Sequence, residues 1–382
     1  MKKIITVTLC ILFTFSGCSL SSNDVKGNLS NKTISGGGNN VSLAQACIMN
    51  PVLNPQDING KIYTIYKNGS DLYAGGQFSI SGISGANIMK WNGTSWIGNG
   101  SLILSPFSQG EVRDIVSYNG SLYATGDIAG KIKRWDGNTW QSVGTGLNGK
   151  GWALAVLNNE LYVGGDFTTA GGVAANHIAK WNGTSWSSVG SGVNGSVREL
   201  TVYNNTLFAG GTFPTSGTGS TINNIAQFNG TNWVNVDNGV DGQVNTMEVF
   251  NNELILGGQF QNEMGVNNAN VRYMARYNGT NILAFSTGGT TDAINDFTVH
   301  NNKLVAGGGL EFGTVNMSSP TPTPINRIAQ WDGTTWSYMQ NDIIGVVYAL
   351  ESFTKLIVGG QYTSCNQNNP NIRNQNIAKW GF

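Results

Sequence analysis

Few residues in this chain are equipped for acid–base or metal chemistry, and their spacing limits what they can do. The 382 residues include two histidines, His177 and His300. His177 falls in a loop between two apolar strands and His300 at the end of another. Strand alternation sends these positions to opposite faces, so they cannot share a metal. With so few imidazoles, no Ser–His–Asp or Cys–His nucleophilic set can be assembled. Asp237-Asn-Gly-Val-Asp-Gly242 groups oxygen ligands around a glycine, as calcium loops do, but it aligns with the ordinary turn at Ser191-Gly-Val-Asn-Gly195. Carboxylate pairs for glycoside hydrolysis stay open, and Asp114 and Glu199 follow two strand starts with no site assigned to them. No catalytic residue, metal or cofactor is expected. One set of polar and aromatic residues does recur in register: Tyr63, Arg113, Trp152, Arg198, Asn245, Asn295 and Tyr348. Their neighbours stay apolar while this position is aromatic, basic or amide in every copy. Such groups suit hydrogen bonding and stacking on a sugar, or pairing with a peptide's acidic group. They are the candidate ligand-binding residues.

The elements that must position them are repeats. Leu161-Tyr-Val-Gly-Gly-Asp-Phe167 is followed by Ile178-Ala-Lys-Trp-Asn-Gly-Thr-Ser-Trp186, read as a strand with a glycine pair, a loop, and a hairpin turning on Asn182-Gly183. Asn-Gly between apolar residues signals a type I′ turn, which needs φ > 0 at both central positions. The unit returns at Trp91, Trp135, Trp181, Phe228, Tyr277, Trp331 and Trp380, spaced 44 to 54 residues apart. Each copy divides into four short apolar segments without helical periodicity, which makes an antiparallel sheet. Small sheets cannot bury a face alone, so they must stack, and radial stacking leaves only short protected edges. The expected fold is all-β: a seven-bladed β-propeller of four-stranded antiparallel blades, with repeats starting near 61, 111, 151, 196, 243, 293 and 346. The recurring polar position then sits second in each innermost strand, near one mouth of the central channel.

The seventh copy ends at Trp380-Gly381-Phe382 and lacks an outer strand. Val41 to Val52 has no other assignment and is expected to supply that strand and close the ring. The glycine pair, broken only as Thr125-Gly126 in the second copy, leaves room for an aromatic from the adjacent blade. Loops between second and third strands open on the mouth that carries the polar set. They lengthen from Ala129-Gly130-Lys131 to Glu311–Arg327, where Pro320, Pro322 and Pro324 stiffen the chain.

The Leu-Tyr-Val-Gly-Gly strand followed by an aromatic and then Trp-Asn-Gly-Thr-x-Trp resembles the kelch-type propeller repeat, in the variant similar to repeats of bacterial surface proteins and, loosely, fungal cortical polarity markers. That resemblance implies the order of strands from the axis outward: Val197 type, glycine-pair type, Ile-Ala-Lys-Trp type, then Trp-Ser-Ser-Val type. It says little about activity, because propellers host unrelated functions. A galactose-oxidase-type copper site would need two histidines together with tyrosines, and that grouping is absent.

Met1-Lys-Lys and the apolar run Ile4–Phe15 read as a secretory signal, too short to span a bilayer. Phe15-Ser-Gly-Cys18 resembles the lipobox of bacterial lipoproteins, which implies acylation of Cys18. Residues 1–17 are thus the expected signal peptide, 18–40 a flexible Ser/Asn/Gly tether, and 41–382 the propeller. Cys47 and Cys365 remain, an even pair that argues for a disulfide in an exported protein. They meet if the closing strand is Val41–Ala46, and lie at opposite ends of the blade if it starts near Cys47. Net charge is +0 and charged residues are 11% of the chain, so nothing offers nucleic acid a basic surface. The expectation is a monomeric, lipid-anchored binding, adhesion or scaffolding module at the outer membrane or cell surface. Its partner is a glycan, a cell-wall component or a protein, and the membrane is reached through the lipid alone. The rival readings are a glycan-active enzyme and a purely structural surface component.

Overall fold

A computed structural model describes residues 49–51, 58–80, 87–91, 96–97, 110–264, 271–285, 290, 292–309, 327–339, 343–363 and 376–380. Among these residues there is no helix, and seven antiparallel sheets of four strands form the blades of a β-propeller. Blade three shows the plan: Gly151–Leu157 innermost, then Glu160–Gly165, Ile178–Trp181 and Trp186–Ser188. The other innermost strands are Ile58–Asn68, Glu111–Tyr118, Ser196–Tyr203, Gln243–Phe250, Ile294–His300 and Ile344–Ser352. Each innermost strand packs on the next, and that of blade seven packs on that of blade one. Blade seven takes its outer strand from the N-terminal side: Met49–Pro51 pairs antiparallel with Ile377–Trp380, Met49 opposite Trp380. The expected closure is therefore present, in the register that begins just after Cys47. Cys18, Cys47 and Cys365 lie outside the described residues, as do the signal segment, the tether, and the long loop bearing Pro320, Pro322 and Pro324.

The core is built at blade junctions. At the seven–one junction Ile62 and Ile65 join Ala349, Ile357 and Ile377 in one cluster. The first glycine of each pair sits where the next blade's inner strand presses in. A Cβ on Gly164 would stand 2.5 Å from Val197 Cγ1, and one on Gly210 2.6 Å from Val244 Cγ1. The expected aromatic is found at one such junction, where Phe297 meets Gly257; elsewhere the intruders are aliphatic. Branched side chains are stiff and narrow, and fill a wedge tip with less rearrangement than a ring.

Aromatics act on the outer half instead. Trp181 and Trp186 face each other across the third and fourth strands at 5.2 Å, and Trp186 Nε1 donates to Val143 O of the preceding blade at 3.1 Å. Trp233 repeats this onto Val189 O. The turn between the two strands differs from expectation. It spans four residues, because Trp181 pairs with Trp186, and only Gly183 has positive φ. Asn182 shapes it with its side chain, Oδ1 accepting from Thr184 N and Ser185 N at 2.9 Å. True two-residue turns with both φ positive join the first and second strands at the same end of the blade, at Asn158-Asn159, Asn204-Asn205, Asn251-Asn252 and Asn301-Asn302.

The candidate calcium loop is also a turn. Asp241 Oδ1 accepts from Gln261 N and Asn262 N, and Asp237 Oδ2 from Ile282 N.

Candidate functional site at the channel mouth

Every innermost strand breaks register with its partner at one residue. The breaks lie between Ile62/Thr64, Val112/Asp114, Gly151/Ala153, Val197/Glu199, Val244/Thr246, Ile294/Asp296 and Val347/Ala349. The unpaired residue in each case is one of the seven candidates: Tyr63, Arg113, Trp152, Arg198, Asn245, Asn295 and Tyr348. Each is the extra residue of a β-bulge, a device that re-aims a side chain and bends the strand. The second glycine of each pair makes the bulge possible. A Cβ on Gly211 would lie 2.1 Å from Ser196 O, and one on Gly258 2.0 Å from Gln243 O. Those carbonyls are displaced toward the partner strand just before the bulge.

Five of the seven form a continuous arc. Tyr348 and Tyr63 meet at 5.3 Å between ring centres. The Arg113 guanidinium lies 3.6 Å from the Tyr63 ring centre and 4.5 Å from that of Trp152. Arg198 lies 3.7 Å and Lys150 Nζ 3.6 Å from the Trp152 ring centre. Blade order places Arg113 and Arg198 on opposite sides of Trp152, so the indole separates cations rather than offering an open face to a sugar. Glu111 binds both Arg113, at 2.6 Å, and Lys150. Asp166 is engaged by Trp152 Nε1 at 2.8 Å and by Ser196 Oγ. Among the described residues no hydrogen bond or ion pair reaches the Arg198 guanidinium, and its Nε is buried without an acceptor. Burial holds Arg198 and Arg113 below the usual arginine range and, with the Arg198 charge adding to it, brings Lys150 down to about 8.

Asn245 and Asn295 are not free for a ligand. Their Nδ2 groups donate to Ile294 O at 2.8 Å and Val347 O at 2.9 Å, joining neighbouring blades.

Beneath the arc lies a belt of carboxyls without an assignment from sequence alone. Asp114, Glu199 and Asp296 follow the bulges directly, and Glu248 and Glu351 stand two residues further on. Asp114 Oδ2 accepts from Leu154 N of the next blade at 2.7 Å, and Oδ1 from its own neighbour Ile115 N. Asp296 does the same with Leu350 N and Phe297 N. These two therefore satisfy inner-edge amides that no fifth strand covers. Among the described residues Glu199 accepts only from the Thr201 hydroxyl, at 3.1 Å. Burial raises all five, to about 7 for Asp114, Glu248 and Glu351 and well above the usual range for Glu199 and Asp296. For Glu199 the charges of Asp114 and Asp296 add to burial. The belt is ringed by protein yet touches the lumen. A cavity of about 260 Å³ runs from Tyr63, Tyr348 and Arg113 down to Asp114, Asp296, Glu248 and Glu351, with Thr64 and Thr298 on its wall. One signal for the belt exists in sequence: acids inside apolar strands of a chain that is only 11% charged.

His177 Nδ1 meets Gly165 O at 3.2 Å, level with the mouth, and His300 Nδ1 meets Ser352 Oγ at 2.9 Å, beside the hairpin at the other end.

No family model matches the chain, and no curated protein matches it. Solved propellers do. The WD40 propeller domain of Doa1 is 11% identical, with TM-score 0.52 over 84% of this chain and 92% of that one. The extracellular domain of the system BT4673 from B. thetaiotaomicron is 12% identical, with TM-score 0.53 over 85% of this chain and 40% of that one. At such identities the likeness is one of fold: the chain is a seven-bladed β-propeller.

Proposed function

We propose that this protein is an exported binding module whose ligand sits on the bulge-lined mouth of the propeller. The observation that carries this reading is Arg198, a half-buried guanidinium stacked on Trp152 and attracted by Asp166, with no hydrogen-bond acceptor among the described residues. A buried cation left unpaired costs free energy, and a ligand group that pairs with it removes that cost. Variable loops on the same face accord with a binding role. So does the extracellular setting of the BT4673 neighbour. The kelch-like repeat, acylation of Cys18 and anchoring to the cell envelope belong to the same proposal; the pairing of Cys47 with Cys365 does not, because the closing strand pairs from Met49 onward, the register that argues against that bond. The binding test is a glycan, peptidoglycan and protein-ligand array probed with the mature exported protein. Saturable binding that Trp152→Ala removes supports the module, and binding indifferent to that change moves the site to the rim or loops. Labelled palmitate entering the wild type and absent from Cys18→Ala tests the anchor, and equal labelling of both ends it.

One observation favours a second reading. Asp114, Glu248 and Glu351, all near 7, line one cavity, and a raised carboxyl beside another is the equipment of glycoside hydrolysis. Turnover of a bound oligosaccharide that Glu248→Gln stops would install this reading in place of the module.

A further inference from the structure

Resting on the mouth as the binding surface, we infer that the ligand is a glycan ending in a uronic acid, its carboxylate taken by Arg198 and the ring hydroxyls of the neighbouring sugar by the carboxyl-lined chamber below. The first observation is the charge arrangement on the arc. Glu111 serves two cations, Arg113 and Lys150, and Asp166 is engaged by Trp152 and Ser196. Among the described residues Arg198 is left as a planar donor fork without an acceptor, and guanidinium matches carboxylate geometry with two parallel bonds. The second is the use of the aromatics. Trp152 lies between cations, and Tyr63 is covered by Arg113 on one side and by Tyr348 at its edge. Recognition at this mouth therefore works through charge and hydrogen bonds, not through an open stacking platform.

The third observation is the chamber. Its volume, about 260 Å³, falls below the roughly 300–1,000 Å³ of pockets for drug-sized ligands, which suits one sugar ring rather than a length of chain. Arg113 belongs to both arc and chamber, whereas Arg198 stands across Trp152 outside the chamber wall, so the uronate on Arg198 and the ring in the chamber are neighbouring sugars of one glycan that passes over Arg113. The chamber wall carries Thr64, Thr298, two tyrosines and four carboxyls. Asp114 and Asp296 are engaged by backbone amides, and Glu248 and Glu351, raised by burial to about 7, can accept from a hydroxyl when ionised or donate to it when protonated. A polyol satisfies such a wall, whereas the aliphatic side chains of most peptides would strand it. This favours an acidic sugar over an acidic peptide.

The test is calorimetric titration of the mature exported protein with trigalacturonate, a glucuronate-ended disaccharide, the methyl esters of both, and tetra-aspartate. The expected result is that at least one uronate binds ten-fold or more tighter than its ester. That advantage should vanish in Arg198→Gln, with the melting temperature lowered only by what the lost stacking on Trp152 contributes. Equal binding of acid and ester overturns the inference, as does an advantage that survives Arg198→Gln, a tetra-aspartate affinity above both uronates, or silence from every uronate. The wider array then separates the two claims. A different ligand that Trp152→Ala abolishes leaves the mouth as the binding surface and removes only the uronic acid, whereas a ligand indifferent to Trp152→Ala removes both.

Discussion

Thr125 of blade two and Gly151 of blade three exchange the roles that the other six junctions assign to a glycine and a branched residue. Elsewhere the glycine comes first and meets Val112, Val197, Val244, Ile294, Val347 or Ile62 of the next blade. Here a Cβ on Gly151 would stand 1.8 Å from Thr125 Oγ1, while that hydroxyl donates to Lys131 O at 2.8 Å. The break in the glycine pair is thus half of a compensated swap. Gly151→Val alone should cost about 1–3 kcal/mol by overpacking. Thr125→Gly with Gly151→Val rebuilds the common junction, and the coupling should be positive and about 0.5–3 kcal/mol. Denaturant melts of the two single variants and the double variant measure it. Additive effects would show that the two positions do not read each other.

The bulge glycines offer a route to the site that touches no ligand-facing group. Gly211→Ala brings a Cβ against Ser196 O, which must move, and Arg198 lies two residues further along the same strand. The expected outcome is a lower melting temperature together with weakened binding of any ligand at the mouth. Gly210→Ala presses instead on Val244 of the next blade, beside the Asn245 bulge and off the strand that carries Arg198. It should lower stability with a smaller effect on affinity. Equal affinity losses in both would remove the special role of the bulge.

Asp296 holds an amide that otherwise faces the channel. Asp296→Ala should leave the Leu350 N–H without its acceptor, at about 1–3 kcal/mol. Hydrogen exchange should quicken at Leu350 in particular, with Asp296→Asn intermediate because its one oxygen can still accept. Unaltered exchange at Leu350 would show that the bond does not protect it.

The acid belt sets an uncommon pH dependence. Its folded pKa values lie above the unfolded ones, so the native state holds more protons between roughly pH 4 and 7. Stability is therefore highest below that window and falls as pH rises through about 7. Asp136 and Asp332, depressed by turn amides, act with the opposite sign below roughly pH 4. The melting temperature should be higher at pH 5 than at pH 8, and Glu199→Gln should reduce the difference by removing one buried charge. A melting temperature that climbs from pH 5 to pH 8 contradicts this account.

The repeat, its seven copies and the closing strand were legible because each is a local pattern. Tryptophans at a fixed interval, asparagine turns and alternating apolar residues act within a few positions of one another. The recurring polar set was legible for the same reason, as a register position that varies while its neighbours do not. What that position does was decided only by the tertiary structure. A bulge adds one residue to a strand and cancels the period of two, so alternation could not say that Asp114 and Asp296 line the cavity. Nor could spacing show that Asn245 and Asn295 bind the next blade while Arg198 stacks on Trp152 with no hydrogen-bond acceptor among the described residues. Tyr63 touches Tyr348, and Asn376 donates to Ile58 O, across 318 residues of sequence. Only closure of the ring makes such partners neighbours, and it is closure that turns seven similar strands into one charged, asymmetric mouth.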